Sequence, residues 1–449
     1  MSEIDRRDFL KLVGVSAGAT AAAGCSELPE KLIPYVIQPE EITPGIPVFY
    51  ASTCQECQTG CGLHVRTREG RPVKLEGNPD HPVNRGALCS RGQAGIERTY
   101  HPDRYESPQS RGADGTLAPI TWEEATALLG QKLRSAGRKA RVLGGATGPT
   151  LGALIEQWVA AVGAGGSTTY EPFAYEALRA SAKAVFDVDV QPVFSLADAD
   201  YVIDFGADCL DGWLSPIEHA RQLADARDIL RNPNGGARFV FVGPRLSLTA
   251  DNADEWLPAV PGSEGLLALG IARELLARKG GDFPTLGPLL EPFDAASVAA
   301  KTGVDAAVIR RIGAALAAAE APVALPPGVG LTSRRATATN AAVLILNYVA
   351  GAMGKNVTLP AAGDSPGKPG SYRDVTELIA AMKAGDVSVL FIHGSNPVYS
   401  LPPDSGFSEA LRSVDFVVCS ASMPDETSEK AHLILPDNTP LESWGDASP

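Results

Sequence analysis

Four unevenly spaced cysteines constrain the N-terminal part of this chain more than any other feature. Three lie close together and the fourth follows 27 residues after the third, in the pattern C-x2-C-x3-C-x27-C. They are Cys54, Cys57, Cys61 and Cys89. Thiols grouped in this way can form disulfides, bind zinc or hold an iron–sulfur cluster.

The three-plus-one division disfavours two of these uses. Structural zinc sites usually draw two ligands from each of two knuckles. Disulfides among the three neighbouring cysteines would restrain a chain of 449 residues very little. A [4Fe–4S] cube needs one thiolate for each iron, and a tight loop can supply three while a distant strand end supplies the fourth. The cluster is therefore the preferred interpretation, and zinc and disulfides are the alternatives.

The residues around the cysteines fit this interpretation. Between Cys61 and Cys89, LHVRT and PVKLEG alternate apolar and polar residues on either side of Glu69-Gly70, which predicts a β-hairpin that returns Cys89 to the others. Gly60 and Gly62 flank Cys61, and the lack of side chains would let backbone N–H groups approach the cluster.

The first 25 residues, MSEIDRRDFLKLVGVSAGATAAAGC, resemble a twin-arginine export signal. The end of this segment resembles a lipobox, in which Cys25 would carry a lipid that holds the protein on a membrane surface. The alternatives are a tail with two adjacent arginines and a signal that is cut elsewhere. The resemblance to an export signal predicts a periplasmic or extracytoplasmic location. This export route carries proteins that are already folded, which also favours a preloaded cofactor.

Composition excludes some classes of protein. The formal net charge of −14 disfavours a nucleic-acid partner, since a polyanion would be repelled. No apolar run reaches the roughly 20 residues that a membrane helix needs. Five prolines between Leu28 and Pro47 predict an extended linker over residues 26–48.

The rest of the chain has an α/β pattern. We expect a cluster domain over residues 49–108 and an α/β body over 109–449, in which short β-branched runs alternate with Ala/Leu-rich helices and form mostly parallel sheets. Thr121 and Glu124 form a capping box that opens one helix. Several strands end in Gly-containing loops, but none is a GxGxxG or Walker motif. The sequence stops in a loop after LILP, so we expect a body that is incomplete at its C-terminus, or a fragment.

The cysteine pattern, GRPVKLEGNPDHPVNRGALC and SRGQAG together resemble the N-terminal cluster domain of the molybdopterin oxidoreductase superfamily. VLFIHGSNPVY and PDETSEKAHLILPDNTPLESWGD resemble segments of its body. The opening, with its twin arginine, LIPYV and PGIPVFYASTC, is most similar to the large iron–sulfur subunit of alternative complex III, a quinol-oxidising respiratory assembly.

This resemblance implies roles for particular residues. The four cysteines would hold a [4Fe–4S] cluster. Arg91 would bridge the cluster and a pterin, with a solvated arginine as the alternative. One further set would contact the nucleotide end of a molybdopterin bis-guanine dinucleotide, with a plain strand-to-helix turn as the alternative: Gly394, Ser395, Asn396 and Pro397.

A molybdenum ligand is harder to find. In relatives a Ser, Cys, selenocysteine or Asp comes from a loop near TYEPFAYEALRAS, where this chain offers Glu171, Tyr175 and Glu176. Cys209 and Cys419 are predicted to be buried packing residues. We also expect this chain to lack the β-barrel domain that completes the pterin site in relatives. The resemblance to alternative complex III, whose subunits keep this fold without molybdenum, matches both expectations.

The sequence thus predicts an iron–sulfur electron-transfer subunit of a membrane-associated, quinol-oxidising respiratory complex, not an independent catalyst. The resemblance implies iron–sulfur, haem c and quinol-binding membrane subunits as partners. One alternative is a fragment of a catalytic molybdopterin-dependent oxidoreductase that acts on a small substrate. The other is a cofactor-free scaffold of the same complex.

Overall fold

A computed structural model describes residues 42–232, 235–280, 283–329, 333–361 and 370–447. The predicted export signal, Cys25 and most of the predicted linker lie outside the described residues. The chain divides into two units, residues 1–48 with 67–71, and residues 49–66 with 72–449. Among the described helices, none combines the length and the apolarity needed to cross a membrane.

The first unit is small in its described part. Its described residues are 42–48 and the turn at 67–71. Within it, the Gly45 N–H donates to the Glu69 carboxylate at 3.0 Å, and the Thr67 hydroxyl donates to the Val48 carbonyl at 3.0 Å.

The strands are short and spread along the chain. In chain order they are β1 (Val48–Thr53), β2 (Gly62–Arg68), β3 (Arg71–Gly77), β4 (Gln109–Arg111), β5 (Leu117–Pro119), β6 (Ala140–Gly144), β7 (Ser167–Thr169), β8 (Val193–Phe194), β9 (Tyr201–Asp204), β10 (Arg238–Val242), β11 (Glu255–Leu257), β12 (Pro322–Leu325), β13 (Val357–Thr358), β14 (Val389–His393), β15 (Phe416–Ala421) and β16 (Leu433–Pro436).

Helices alternate with these strands. In chain order they are α1 (Ser90–Thr99), α2 (Trp122–Ala136), α3 (Pro149–Ala161), α4 (Glu176–Phe186), α5 (Pro216–Ala226), α6 (Leu248–Asp251), α7 (Glu264–Lys279), α8 (Leu286–Leu290), α9 (Ala295–Thr302), α10 (Ala306–Ala318), α11 (Ala336–Ala350), α12 (Tyr372–Lys383), α13 (Pro397–Ser400) and α14 (Phe407–Leu411).

The cysteine segment forms a three-stranded sheet in the order β1-β2-β3. The predicted hairpin is present, since β2 and β3 are neighbours and Glu69 and Gly70 between them have φ of +45° and +78°. Two consecutive positive φ angles are typical of the tight turn whose twist matches that of paired strands.

The body contains a seven-stranded sheet in the order β5-β4-β16-β15-β14-β6-β7. The strands from β16 to β7 are parallel, and β4 and β5 add an antiparallel edge. Successive residues of β14 belong to different apolar clusters. Leu390 and Ile392 pack with α12, whereas Val389 packs with α2. Both faces of the sheet are therefore covered, as parallel sheets require.

A second parallel sheet has the order β11-β10-β9-β12. Its largest apolar cluster joins these strands to α7, α10 and α11. A two-stranded antiparallel pair, β8 and β13, completes the sheets of the described residues. The expected α/β class with mostly parallel sheets is confirmed.

Two local predictions are also confirmed. Helix α2 begins after Thr121, whose hydroxyl accepts from the Glu124 N–H while the Glu124 carboxylate accepts from the Thr121 N–H. Cys209 and Cys419 are buried among apolar side chains, at 0% and 1% exposure.

Candidate metal centre

The first three cysteines lie on a loop that closes on itself between β1 and β2. The Cys54 N–H donates to the Cys61 carbonyl at 2.8 Å, and Gly60 turns the chain with φ +63°. Cys54 and Cys61 are buried beside Leu63. Cys57 is partly exposed. The loop therefore presents three thiols at different depths.

The side chain of Asn84 joins this loop to the segment that carries the fourth cysteine. Its Oδ1 accepts from the Gly62 N–H at 2.8 Å, and its Nδ2 donates to the carbonyls of Gly62 at 3.0 Å and Ala87 at 2.6 Å. A Cβ on Gly62 would lie 2.4 Å from the His81 ring, so no larger residue fits without a shift. Sequence reasoning missed Asn84, because no local motif distinguishes it from a turn asparagine.

Cys89 sits at the N-terminus of α1. It is the residue that caps the helix, and its Sγ accepts from the Gly92 N–H at 3.5 Å. A Cβ on Gly92 would lie 3.5 Å from the Cys54 Sγ, so Gly92 brings the fourth cysteine beside the first. A helix N-terminus stabilises negative charge, so this position suits a cysteine that would bind iron as a thiolate.

The pKa values of the buried thiols show that the four cysteines lie within electrostatic reach of one another. Burial, followed by the charges of the neighbouring Cys54, Cys57 and Cys89, raises the pKa of Cys61 to about 12. Burial is also the largest cause that raises the pKa of Cys54, followed among the thiols by Cys57 and Cys89. Four mutually repelling thiolates in a partly dry site require a positive centre to become stable together.

The donor set fits a cluster. Among the described cysteines none forms a disulfide. Within the described ranges, no three or more His, Cys, Asp or Glu side chains come together as ligands of a single metal ion. A cube spreads its thiolates over four irons and so needs them further apart than one tetrahedral zinc ion does. The role of the four cysteines as iron ligands stays a prediction that this arrangement fits.

Comparison with known families decides the classification. The Fe4S4 domain of molybdopterin oxidoreductases matches residues 48–101, and the molybdopterin oxidoreductase domain matches residues 104–446. The chain belongs to the molybdopterin oxidoreductase family. The family's Fe4S4 domain supports a [4Fe–4S] cluster here, as the sequence predicted, and its second domain supports the molybdopterin that the resemblance implied.

Individual members of the family extend the comparison. The menaquinone reductase molybdopterin-binding-like subunit of Nitratidesulfovibrio vulgaris is 32% identical over 470 residues, which cover 99% of this chain and 66% of that protein. The arsenate respiratory reductase molybdopterin-containing subunit of a Shewanella species is 27% identical over 55% of this chain and 30% of its own length. Acetylene hydratase from Pelobacter acetylenicus has the same fold, with a TM-score of 0.73 at 18% identity over 88% of this chain and 63% of that one. The chain thus spans two thirds or less of these proteins.

The oxygen ligands considered for molybdenum are already engaged. The Tyr175 hydroxyl accepts from the Leu214 N–H at 2.8 Å and donates to the Gly212 carbonyl at 3.2 Å. The Glu176 carboxylate accepts from the Tyr372 N–H at 2.6 Å. Glu171 accepts from the Phe173 N–H at 3.5 Å. These bonds give each side chain a partner within the fold, and none of the three stands out as a molybdenum ligand.

The residues predicted to contact the cofactor nucleotide form a strand-to-helix turn after β14. Gly394 has φ +59°, and Pro397 is the first residue of α13. The Asn396 side chain donates to Glu426 at 2.7 Å, accepts from the Thr427 hydroxyl at 2.7 Å and caps α13. Ser395 is partly exposed in this turn. A plain strand-to-helix turn is therefore enough to explain this conformation. A contact of these residues with the cofactor nucleotide stays a prediction.

Polar side chains also meet beside this turn, at the carboxyl ends of adjacent strands. The Nδ1 of His393 lies 2.6 Å from the Ser420 hydroxyl and 3.4 Å from the Asp437 carboxylate. Both partners use the same ring nitrogen, so this cluster lacks the two-sided histidine of a hydrolytic triad.

Arg91 is exposed in the first turn of α1, and its bridge to a pterin stays a prediction.

His219 is buried and stacks on Trp213 with ring centroids 5.2 Å apart. Burial lowers the pKa of His219 to about 4, so its ring is neutral near pH 7. It is a packing residue.

Proposed function

We propose that this chain is the iron–sulfur electron-transfer subunit of a membrane-associated respiratory oxidoreductase that exchanges electrons with the quinone pool. The observation that carries the proposal is the four-thiol site within a family Fe4S4 domain. The hydrogen-bonded state of the side chains considered as molybdenum ligands supports relay over catalysis.

A bound [4Fe–4S] cluster supplies one-electron chemistry. The residues of this chain hold it and control its surroundings. Cys54 and Cys61 lie against Leu63, Val65 and Leu75, which exclude water from one side of the site. Cys57 and Cys89 are partly exposed, so an electron has its shortest route to a partner on their side.

The proposed setting follows from the N-terminal sequence and from the relatives. The twin-arginine pattern supports export, and a location on the extracytoplasmic face of the membrane follows from it. We propose iron–sulfur, haem c and quinol-binding membrane subunits as partners, because the chain resembles the large subunit of alternative complex III and two relatives are named as subunits. That resemblance implies quinol oxidation, whereas the first of these relatives is named a menaquinone reductase.

A catalytic molybdopterin enzyme is the second candidate. The match of the family's molybdopterin domain to residues 104–446 favours it. Elemental analysis of the complete protein, purified without oxygen, separates the two. Iron without molybdenum or tungsten supports the relay. Stoichiometric molybdenum with turnover of a small substrate supports catalysis, and zinc without iron contradicts both.

The direction of electron flow is tested on the assembled complex. A menaquinol analogue should reduce the cluster if the complex oxidises quinol. Reduction of menaquinone by the dithionite-reduced complex, without the reverse reaction, would assign it as a quinone reductase. Neither reaction would contradict the proposed link to the quinone pool.

A further inference from the structure

Thr59 joins a cysteine sulfur to the α/β body. Its Oγ1 lies 3.4 Å from the Cys57 Sγ and 3.4 Å from the Leu214 carbonyl oxygen. The Thr59 side chain is buried. With Cys57 as a thiol, the S–H donates to the Thr59 oxygen, and the Thr59 hydroxyl donates to Leu214.

Iron binding changes which atom can donate. Cys57 binds iron as a thiolate and then has no proton of its own. A threonine hydroxyl has one proton, so it alone can make the contact with the sulfur, and the Leu214 carbonyl competes for it. A charged acceptor binds a hydrogen-bond donor more strongly than a neutral carbonyl does.

The competing carbonyl is held in place by an unusual backbone. Leu214 and Tyr175 both have φ of +48°, which is rare for bulky residues and persists only where the surroundings enforce it. The Tyr175 hydroxyl binds the Leu214 N–H at 2.8 Å and the Gly212 carbonyl at 3.2 Å, and so fixes this loop. Charge on Cys57 helps to raise the pKa of Tyr175, after burial as the larger cause, so the two groups lie within electrostatic reach.

We propose that Thr59 is a positioning residue that sets the reduction potential of the cluster. Its hydroxyl donates to the Cys57 Sγ, most strongly after an external one-electron donor has reduced the cluster. In the oxidised cluster the same hydrogen bond would be weaker, and the Leu214 carbonyl would compete more effectively for the proton. No covalent bond forms or breaks, and the added electron stays on the cluster. The inference needs a loaded cluster from the proposed function but no particular electron donor.

The test is an anaerobic potentiometric titration of the holoprotein followed by EPR. Thr59→Val removes the hydroxyl at nearly constant volume, and Thr59→Ser retains it. Thr99→Val is the matched control, since its hydroxyl lies 3.1 Å from that of Thr439 and contacts no cysteine in the described structure. At the wild-type midpoint, the ratio of reduced to oxidised cluster should fall up to about tenfold in Thr59→Val, or about 59 mV for one electron. The ratio should stay near that of wild type in the other two variants.

An unchanged midpoint in an iron-loaded Thr59→Val variant overturns the role of Thr59 and leaves the relay proposal standing. If that variant does not load iron, Thr59→Ala replaces it. A third measurement uses the wild type alone. Pulsed EPR of the reduced cluster in H₂O and D₂O should show a coupled exchangeable proton, and its absence overturns the proposal. A protein that never takes up a cluster contradicts the proposed function as well.

Discussion

The side chain of Asn84 makes hydrogen bonds to both backbone groups of Gly62, at 2.8 Å to its N–H and 3.0 Å to its carbonyl. This pairing lies at the point where the cysteine loop enters β2, and the Gly62 carbonyl also accepts from the Asn78 N–H at 2.9 Å. It also aligns the chain that leads to Cys89. The geometry of the four thiols therefore depends on an amide that binds no metal.

Asn84→Ala should lower iron content as well as stability. It leaves the buried N–H of Gly62 without its partner, which costs about 1–3 kcal/mol if that group stays dry. The Gly62 carbonyl keeps its bond from the Asn78 N–H at 2.9 Å, and the Ala87 carbonyl lies in a half-buried residue. Asn347→Ala is the matched control, because Asn347 is equally buried and makes a similar set of bonds to Ala324 and Val343 in the body. Thermal unfolding should be affected in both variants, whereas iron per chain should fall only in Asn84→Ala. Equal iron in the two variants would refute the role of Asn84 in the site.

Cys89→Ser should weaken or abolish the cluster. Serine oxygen is a poor replacement for a thiolate on iron, and Cys89 supplies the only ligand expected from outside the loop. The measurements are iron content and the visible absorption of the cluster. Cys419→Ala changes a buried cysteine in β15, outside the cluster domain, and should retain the iron of the wild type. Wild-type iron in Cys89→Ser would remove this residue from the ligand set.

Gly62→Ala should destabilise the cysteine loop. The new Cβ would lie 2.4 Å from the His81 ring, and overpacking of this kind costs about 1–3 kcal/mol. Gly287→Ala is the comparison, since a Cβ there meets no atom within 4 Å and the residue lies in a helix. Chemical denaturation with iron analysis should separate the two variants. A Gly62→Ala protein with unchanged stability and iron would mean that His81 moves aside at no cost.

The buried carboxyl of Asp204 should make the free energy of unfolding depend on pH. Burial raises the pKa of this carboxyl from 3.8 to about 7, against the hydrogen bonds from the N–H groups of Ala207 and Cys209. The folded state therefore holds a proton that the unfolded state has lost. As pH rises from about 4 to about 7, this residue should lower the free energy of unfolding, and above that range its effect should be constant.

Denaturation of wild type and Asp204→Asn across that pH range tests this expectation. The wild type should lose stability relative to the variant as pH rises, because the amide does not ionise. His219 favours the opposite trend, since its folded pKa is low, but it is present in both proteins and cancels in the difference. Asp404→Asn, at an exposed residue, should follow the wild type. A constant difference between wild type and Asp204→Asn would contradict the raised pKa.

The predictable features are those encoded over a few residues. The capping box of Thr121 and Glu124 is complete within four positions, and the hairpin turn at Glu69-Gly70 within two. The family pattern around the cysteines is likewise continuous in sequence. Each of these features joins residues that are neighbours in the sequence, so local patterns are sufficient to predict them.

The contacts that shape the site are different. Asn84 acts on a residue 22 positions away, and Thr59 meets Leu214 across 155 positions. The positive φ of Tyr175 and Leu214 runs against the preference of both residues, so tertiary packing decides it. No local pattern predicts such pairings. Asn84 and Thr59 share only that each is a buried polar residue.

The central claim is that electrons exchanged with the quinone pool pass through the cluster held by the four cysteines. Rapid-freeze EPR on the complete membrane complex, mixed with a menaquinol analogue or with dithionite and menaquinone, tests it most directly. In the wild type the cluster should change oxidation state at least as fast as quinone turns over, and Cys89→Ser should lose turnover together with the signal. Turnover at the wild-type rate in an assembled Cys89→Ser complex without the cluster would contradict the account.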